Sequence, residues 1–203
     1  MKAKSGQKTL LASVLMSSPG PIVLGIALLY GRSATQIADF IRRTAELSSI
    51  IVSYIVFRIL QRNAGYTGEE KNKLEYKANL SVGLAMCLSG LAMIFITLNS
   101  SGFERGNAIP GLIIAILGVI TNSWFCLRYT RLNRQEPDSI LAVQSRLYLA
   151  KSIVDTSVTI TLGFIVFAST AWITKYIDLI GSILVSIYLI INGIVIIKKG
   201  RVN

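Results

Sequence analysis

Histidine is absent from the 203 residues, cysteine occurs twice, and charged residues make up only 15% of the chain. Each scarcity excludes something. Without histidine, the commonest metal ligand and the commonest general base near neutral pH are both missing. Cys87 and Cys126 each lie within an apolar run, so neither a disulfide framework nor a Cys-x-x-Cys metal site is expected. Soluble domains usually carry about 25% charged residues. A chain that is 52% hydrophobic, with a mean hydropathy of +0.59, falls outside that class. Disorder is excluded as well, because it requires low hydrophobicity together with high net charge, and only the charge is present.

What the sequence does have is long apolar runs. A helix needs about 20 apolar residues to cross roughly 30 Å of hydrocarbon. Six stretches qualify, at about 10–30, 34–60, 78–98, 109–130, 140–168 and 176–197. The expected fold is therefore an all-α membrane protein, a single six-span transmembrane domain over residues 1–203. Ser-Pro-Gly-Pro at 18–21 should kink the first span. No small-residue cleavage site follows that span, so it is expected to stay in place rather than act as a signal peptide. The stretch 61–77 reads as a polar loop.

The net charge of +11 is distributed as a topology signal, not as a basic face for nucleic acid. With six spans, the two tails and the second and fourth connections lie on one side and together hold 13 cations, whereas Arg32, Arg105 and Lys175 lie on the other. That asymmetry predicts a multi-pass protein of the cell (inner or plasma) membrane with both termini cytoplasmic.

Two spans carry charge at mid-depth, where ionisable side chains cost about 2.5–3.5 kcal/mol each on insertion scales and mark function by default. On the second span Asp39, Arg42 and Glu46 share a helical face that Ser49 and Ser53 continue. On the fifth, Lys151 and Asp155 are four residues apart, preceded by Gln144 and Tyr148. Arg43 and Arg146, nearer their helix starts, are expected to snorkel to the interface. The two stripes admit two readings. One is a polar path between the helices, formed by Asp39, Ser49, Ser53, Gln144 and Tyr148 around an ion site at Arg42, Glu46, Lys151 and Asp155. The other is a pair of structural bridges, Arg42–Glu46 and Lys151–Asp155.

The order and spacing of several segments resemble the transmembrane domain of the cation diffusion facilitator family, from about residue 9 to the end. Ser33-Ala34 through Ile37-Ala38-Asp39 and Ala45-Glu46-Leu47-Ser48 look like that family's second helix. Lys73 to Ala78 resembles its junction into helix three. Pro110-Gly111 with Asn122 resembles its fourth helix, and Tyr176-Ile177-Asp178 the start of its sixth. The resemblance implies divalent-metal transport through a His/Asp-x-x-x-Asp pair on helix two and another on helix five. Carried over, the first pair falls on Arg42 and Glu46, the second on Lys151 and Asp155. Glu46 and Asp155 retain ligand oxygens, but guanidinium has donors only, so Arg42 cannot ligate. Two side-chain cations stand where the family places its metal. No metal site and no cofactor are expected.

Enzymatic activity is not expected, since no nucleophile–base set exists without histidine and no phosphate-cradling glycine loop is present. The expected function is secondary transport of a cation or small charged solute coupled to protons, as in an antiporter. Lysines give up their proton readily when buried, which makes Lys151 the candidate carrier. The alternative is a non-transporting membrane subunit whose charge tetrad locks the scaffold. The family's cytoplasmic metal-binding domain, which helps hold a homodimer, has no counterpart in these residues. The expected partners are the lipid bilayer and a second copy or a related membrane subunit. Gly181, Ser182 and Ser186 sit either at such an interface or within one protomer.

Overall fold

The computed structural model describes residues 2–30, 34–62, 66–99, 109–168 and 171–200. All of its regular structure is helical: α1 (Lys2–Ser17), α2 (Pro19–Tyr30), α3 (Ala34–Arg62), α4 (Gly68–Asn99), α5 (Ile109–Gln135), α6 (Ser139–Ala168) and α7 (Ala171–Gly200). The first expected span is the pair α1 and α2. Pro19 cannot donate a backbone hydrogen bond and Ser18 is the bend between them. Apolar length carries straight through this break, over Ser5–Ile26. The expected kink is thus present, and the six expected spans correspond to α1–α2 and α3 to α7.

Among the described residues, five of these are long and apolar enough to cross a membrane. The sixth, α6, has 30 residues, but Arg146, Lys151, Asp155 and a run of hydroxyls dilute its hydropathy. The protein is an all-α membrane bundle. Large apolar side chains such as Leu29, Leu98, Ile114, Leu127 and Phe167 point outward. In water that surface would aggregate; against lipid tails it is the solvated surface.

The polar stretch 61–77 departs from its expected loop. Residues 68–77 form the first turns of α4, for a local reason. The backbone N–H and hydroxyl of Thr67 both donate to Glu70 Oε2 at 3.0 Å, while the Glu70 N–H donates back to Thr67 Oγ1 at 3.4 Å. This is a capping box, and it satisfies donors that a helix start would otherwise leave open. Glu69–Lys73 at 2.6 Å and Lys71–Glu75 at 3.7 Å then add pairs one turn apart. Asp138 starts α6 in the same manner, with its Oδ1 accepting from the N–H groups of Ile140 and Leu141 at 2.9 and 3.1 Å.

The most intimate helix pairs are α4 with α7, α5 with α6, and α3 with α4. Along α4 and α7 the backbones nearly touch: a Cβ on Gly83 would meet the Gly193 carbonyl at 2.9 Å, and one on Gly90 the Ser186 carbonyl at 2.9 Å. Ser182 and Ser186 are buried, and a Cβ on Gly181 would strike Ser157 Oγ of α6. The small residues of α7 therefore pack within one protomer. By contrast α3 and α6 make few backbone approaches and leave a chamber between them.

Candidate functional site

The chamber has a volume of about 430 Å³ and is walled by α1, α2, α3, α5 and α6. Arg42, Glu46, Lys151 and Asp155 all reach it, as does Tyr148. The four family-site positions are thus brought together by two helices that otherwise stand apart.

Glu46 is at the centre of the charge network. It is 6% exposed, and its Oε1 lies 3.6 Å from Arg42 Nη1 and accepts from Ser89 Oγ of α4 at 3.0 Å. Its Oε2 lies 3.6 Å from Lys151 Nζ. One carboxylate so faces two cations from two helices. The expected Arg42–Glu46 bridge is present. The expected Lys151–Asp155 bridge is not: among the described residues no ion pair reaches Asp155, and the Lys151 ammonium pairs with Glu46 instead. Lys151 Nζ donates to Ser17 Oγ at 3.5 Å and sits 5.1 Å from the Tyr148 ring centroid. The physical reason is tertiary: α3 and α1 bring Glu46 Oε2 and Ser17 Oγ within reach of the ammonium.

Asp155 turns instead toward α5, where its Oδ2 accepts from Asn122 Nδ2 at 2.6 Å. Gly118, one turn before Asn122, makes this possible, because a Cβ there would lie 2.5 Å from the same oxygen. Asn122, Gly118, Ser17 and Ser89 are the members that site reasoning from the sequence missed. The available signal was a lone amide in the apolar run of α5, and a serine just before the Pro19 break.

Arg43, expected at the interface, lines the chamber, with its Cδ running beside Gly20 of α2. Asp39 is on α3, but its side chain lies outside the described residues. Of the remaining expected path residues, Tyr148 lines the chamber and its hydroxyl meets Ser17 Oγ at 3.3 Å. Ser49, Ser53 and Gln144 form a separate buried ladder. Ser49 Oγ donates to the Glu46 carbonyl at 2.7 Å, Ser53 Oγ to the Ser49 carbonyl at 2.9 Å, and Gln144 Nε2 to Ser53 Oγ at 2.9 Å. Among the described residues Gln144 Oε1 is buried without a partner. These three groups are buried and do not line the chamber.

Beneath the chamber the aromatic rings of Phe125, Tyr129 and Tyr148 stack, with centroids 4.9 Å apart for Phe125–Tyr148 and 5.5 Å for Tyr129–Tyr148. The Tyr129 hydroxyl pairs with Ser13 Oγ at 2.8 Å. Among the described residues no three Cys, Asp or Glu side chains gather as a metal-holding group. Chemically, the chamber offers one saturated carboxylate, one carboxylate with an amide donor, and the side-chain cations of Arg42, Arg43 and Lys151.

The sequence model of the cation efflux transmembrane domain matches residues 10–202. No curated protein matches the chain.

Proposed function

We propose that this chain, which belongs to the cation efflux family, is a secondary transporter in which a side-chain ammonium has taken the place of the family's metal. The observation that carries the reading is the pairing of Lys151 with Glu46 at 3.6 Å while Asp155 is held apart on Asn122. Lys151 lies one turn from Asp155 on the same helix, so one rotamer change takes its ammonium from Glu46 to Asp155. A cation or small charged solute competes with it for Asp155, and a proton exchanged at the pair couples the two. The Arg42 and Lys151 cations beside Glu46 disfavour a dication, since unit charges about 4 Å apart interact by about 4 kcal/mol at an effective dielectric of 20. Zinc is therefore not the solute. Both termini lie in the cytoplasm, in keeping with the cation asymmetry, and the membrane is the cell membrane.

The test is proton-linked flux in proteoliposomes that enclose a pH dye, with a panel of chloride salts outside. Wild type is expected to acidify or alkalinise the interior on addition of its solute, and the double variant Lys151→Met/Asp155→Asn to be silent although folded. A second reading is a structural lock, which the Arg42–Glu46–Lys151 bridge between α3 and α6 favours. It predicts no flux with any salt and a double variant that keeps its cellular role.

A further inference from the structure

Much of the chamber wall has no use for a bare ion. Beside Asp155 the lining is Met16, Leu117, Val154 and Val158, with the Phe125 and Tyr148 rings completing it. A volume of about 430 Å³ is that of a small-molecule site, which typically spans about 300–1,000 Å³. Hard metal ions require about six or more oxygen ligands. The Asp155 corner supplies one carboxylate, the Asn122 amide and Thr121, all on α5 and α6.

We infer that the chamber binds a small organic monocation, a primary ammonium that bonds the Asp155 carboxylate and rests a short apolar body on the Phe125–Tyr148 faces and the aliphatic wall. The inference rests on the transport reading only in placing the solute in the same cavity. Two features of the site select this chemistry. Glu46 is already saturated by Arg42, Lys151 and Ser89, which leaves Asp155 as the anionic anchor. The chamber already holds the Arg42, Arg43 and Lys151 cations against the Glu46 and Asp155 carboxylates, so a monocation adds one positive charge where a dication adds two, and the repulsion it meets is about half as large. Gly118 has its part in the same design: the missing side chain seats Asp155 against α5 and leaves the chamber centre open for the guest.

The test is calorimetric titration of the full chain in detergent micelles with methyl-, ethyl-, propyl- and butylammonium chloride at constant ionic strength, against sodium and potassium chloride and against empty micelles. Saturable butylammonium binding is expected, tightening by up to about fourfold for each buried methylene along the series. The Asp155→Asn variant is expected to weaken it at least tenfold. The chain-length series uses the wild-type protein alone, so it stands even where the variant does not fold. Absence of saturable ammonium binding overturns the inference. Sodium or potassium binding of equal strength that depends on Asp155 also overturns it, since the site is then one for inorganic ions. Butylammonium binding without any flux in proteoliposomes upholds the site and removes the transport reading. Proton-linked flux of another solute with no ammonium binding removes the substrate class and leaves the transport reading intact.

Discussion

The charged residues of the chamber are not equivalent, and their substitution should separate them. Glu46 faces Arg42, Lys151 and Ser89 at once. Glu46→Gln leaves two cations unbalanced in a buried place, and breaking a buried network in this way typically costs about 3–5 kcal/mol. Lys151→Met leaves Glu46 with Arg42 and Ser89, so its cost should be distinctly smaller. Thermal unfolding of both variants in the same detergent checks the order, and a larger loss for Lys151→Met would contradict the network described. Gly118→Ala should damage solute binding by displacing the Asp155 carboxylate, whereas Gly163→Ala, with nothing within 4 Å of its added Cβ, should be neutral or slightly stabilising. The four site positions were legible in the sequence, because charge within an apolar run is conspicuous. Their partners were not. The spacing of Lys151 and Asp155 suggests a bridge along one helix, but the ammonium goes to another helix, and only tertiary packing of α1, α3 and α6 decides that. Ser89 and Gly118 are ordinary residues of membrane helices and carried no signal until their neighbours were in place.

At the scale of the element, α4 shows how local chemistry overrode a loop reading. The stretch 68–77 is too polar to belong to a span, and polarity alone reads as a loop. The capping box at Thr67 and Glu70 and the pairs Glu69–Lys73 and Lys71–Glu75 make it helical outside the apolar run. Thr67→Ala removes the hydroxyl of that cap, a loss of about 1 kcal/mol. It should speed amide exchange in residues 68–77 and leave the apolar part of α4 protected, as hydrogen-exchange mass spectrometry would read. The seam of α4 with α7 obeys a different constraint. A Cβ on Gly193 would meet Cys87 Sγ at 2.6 Å and the Gly83 carbonyl at 2.7 Å. A side chain can turn aside and a helix backbone cannot, so Gly193→Ala should force the helices apart and lower the unfolding temperature far more than Gly163→Ala. The sequence showed α7 to be rich in small residues. Whether they met a second copy or their own chain was undetermined, since both kinds of contact demand the same small side chains.

At the scale of the whole molecule, the cytoplasmic assignment rests on cation asymmetry, and the bundle supplies a pH-dependent group with which to examine that end. Asp138 joins α5 to α6 outside the spans and caps α6. Burial pushes its carboxyl above the ordinary carboxylate value, against the opposing pull of the Leu141 and Ile140 N–H groups and of Lys71, with Glu136 adding to the rise. The folded state therefore holds this proton more tightly than the unfolded chain. Stability contributed by Asp138 is fully present below its unfolded value, and declines as pH rises from there through the raised folded value. Asp138→Asn keeps a good capping residue and removes the titration. The unfolding temperature of the variant should thus vary less than that of the wild type across mildly acidic pH, and an unchanged pH profile would contradict the burial described. The same connection tests the topology. With six spans, single cysteines placed at residues 69 and 136 of a variant lacking Cys87 and Cys126 should both react only with a reagent that reaches the cytoplasm. Labelling of the two from opposite sides would require an odd number of crossings between them. That would remove the even span count on which the 13-to-3 distribution of cations depends.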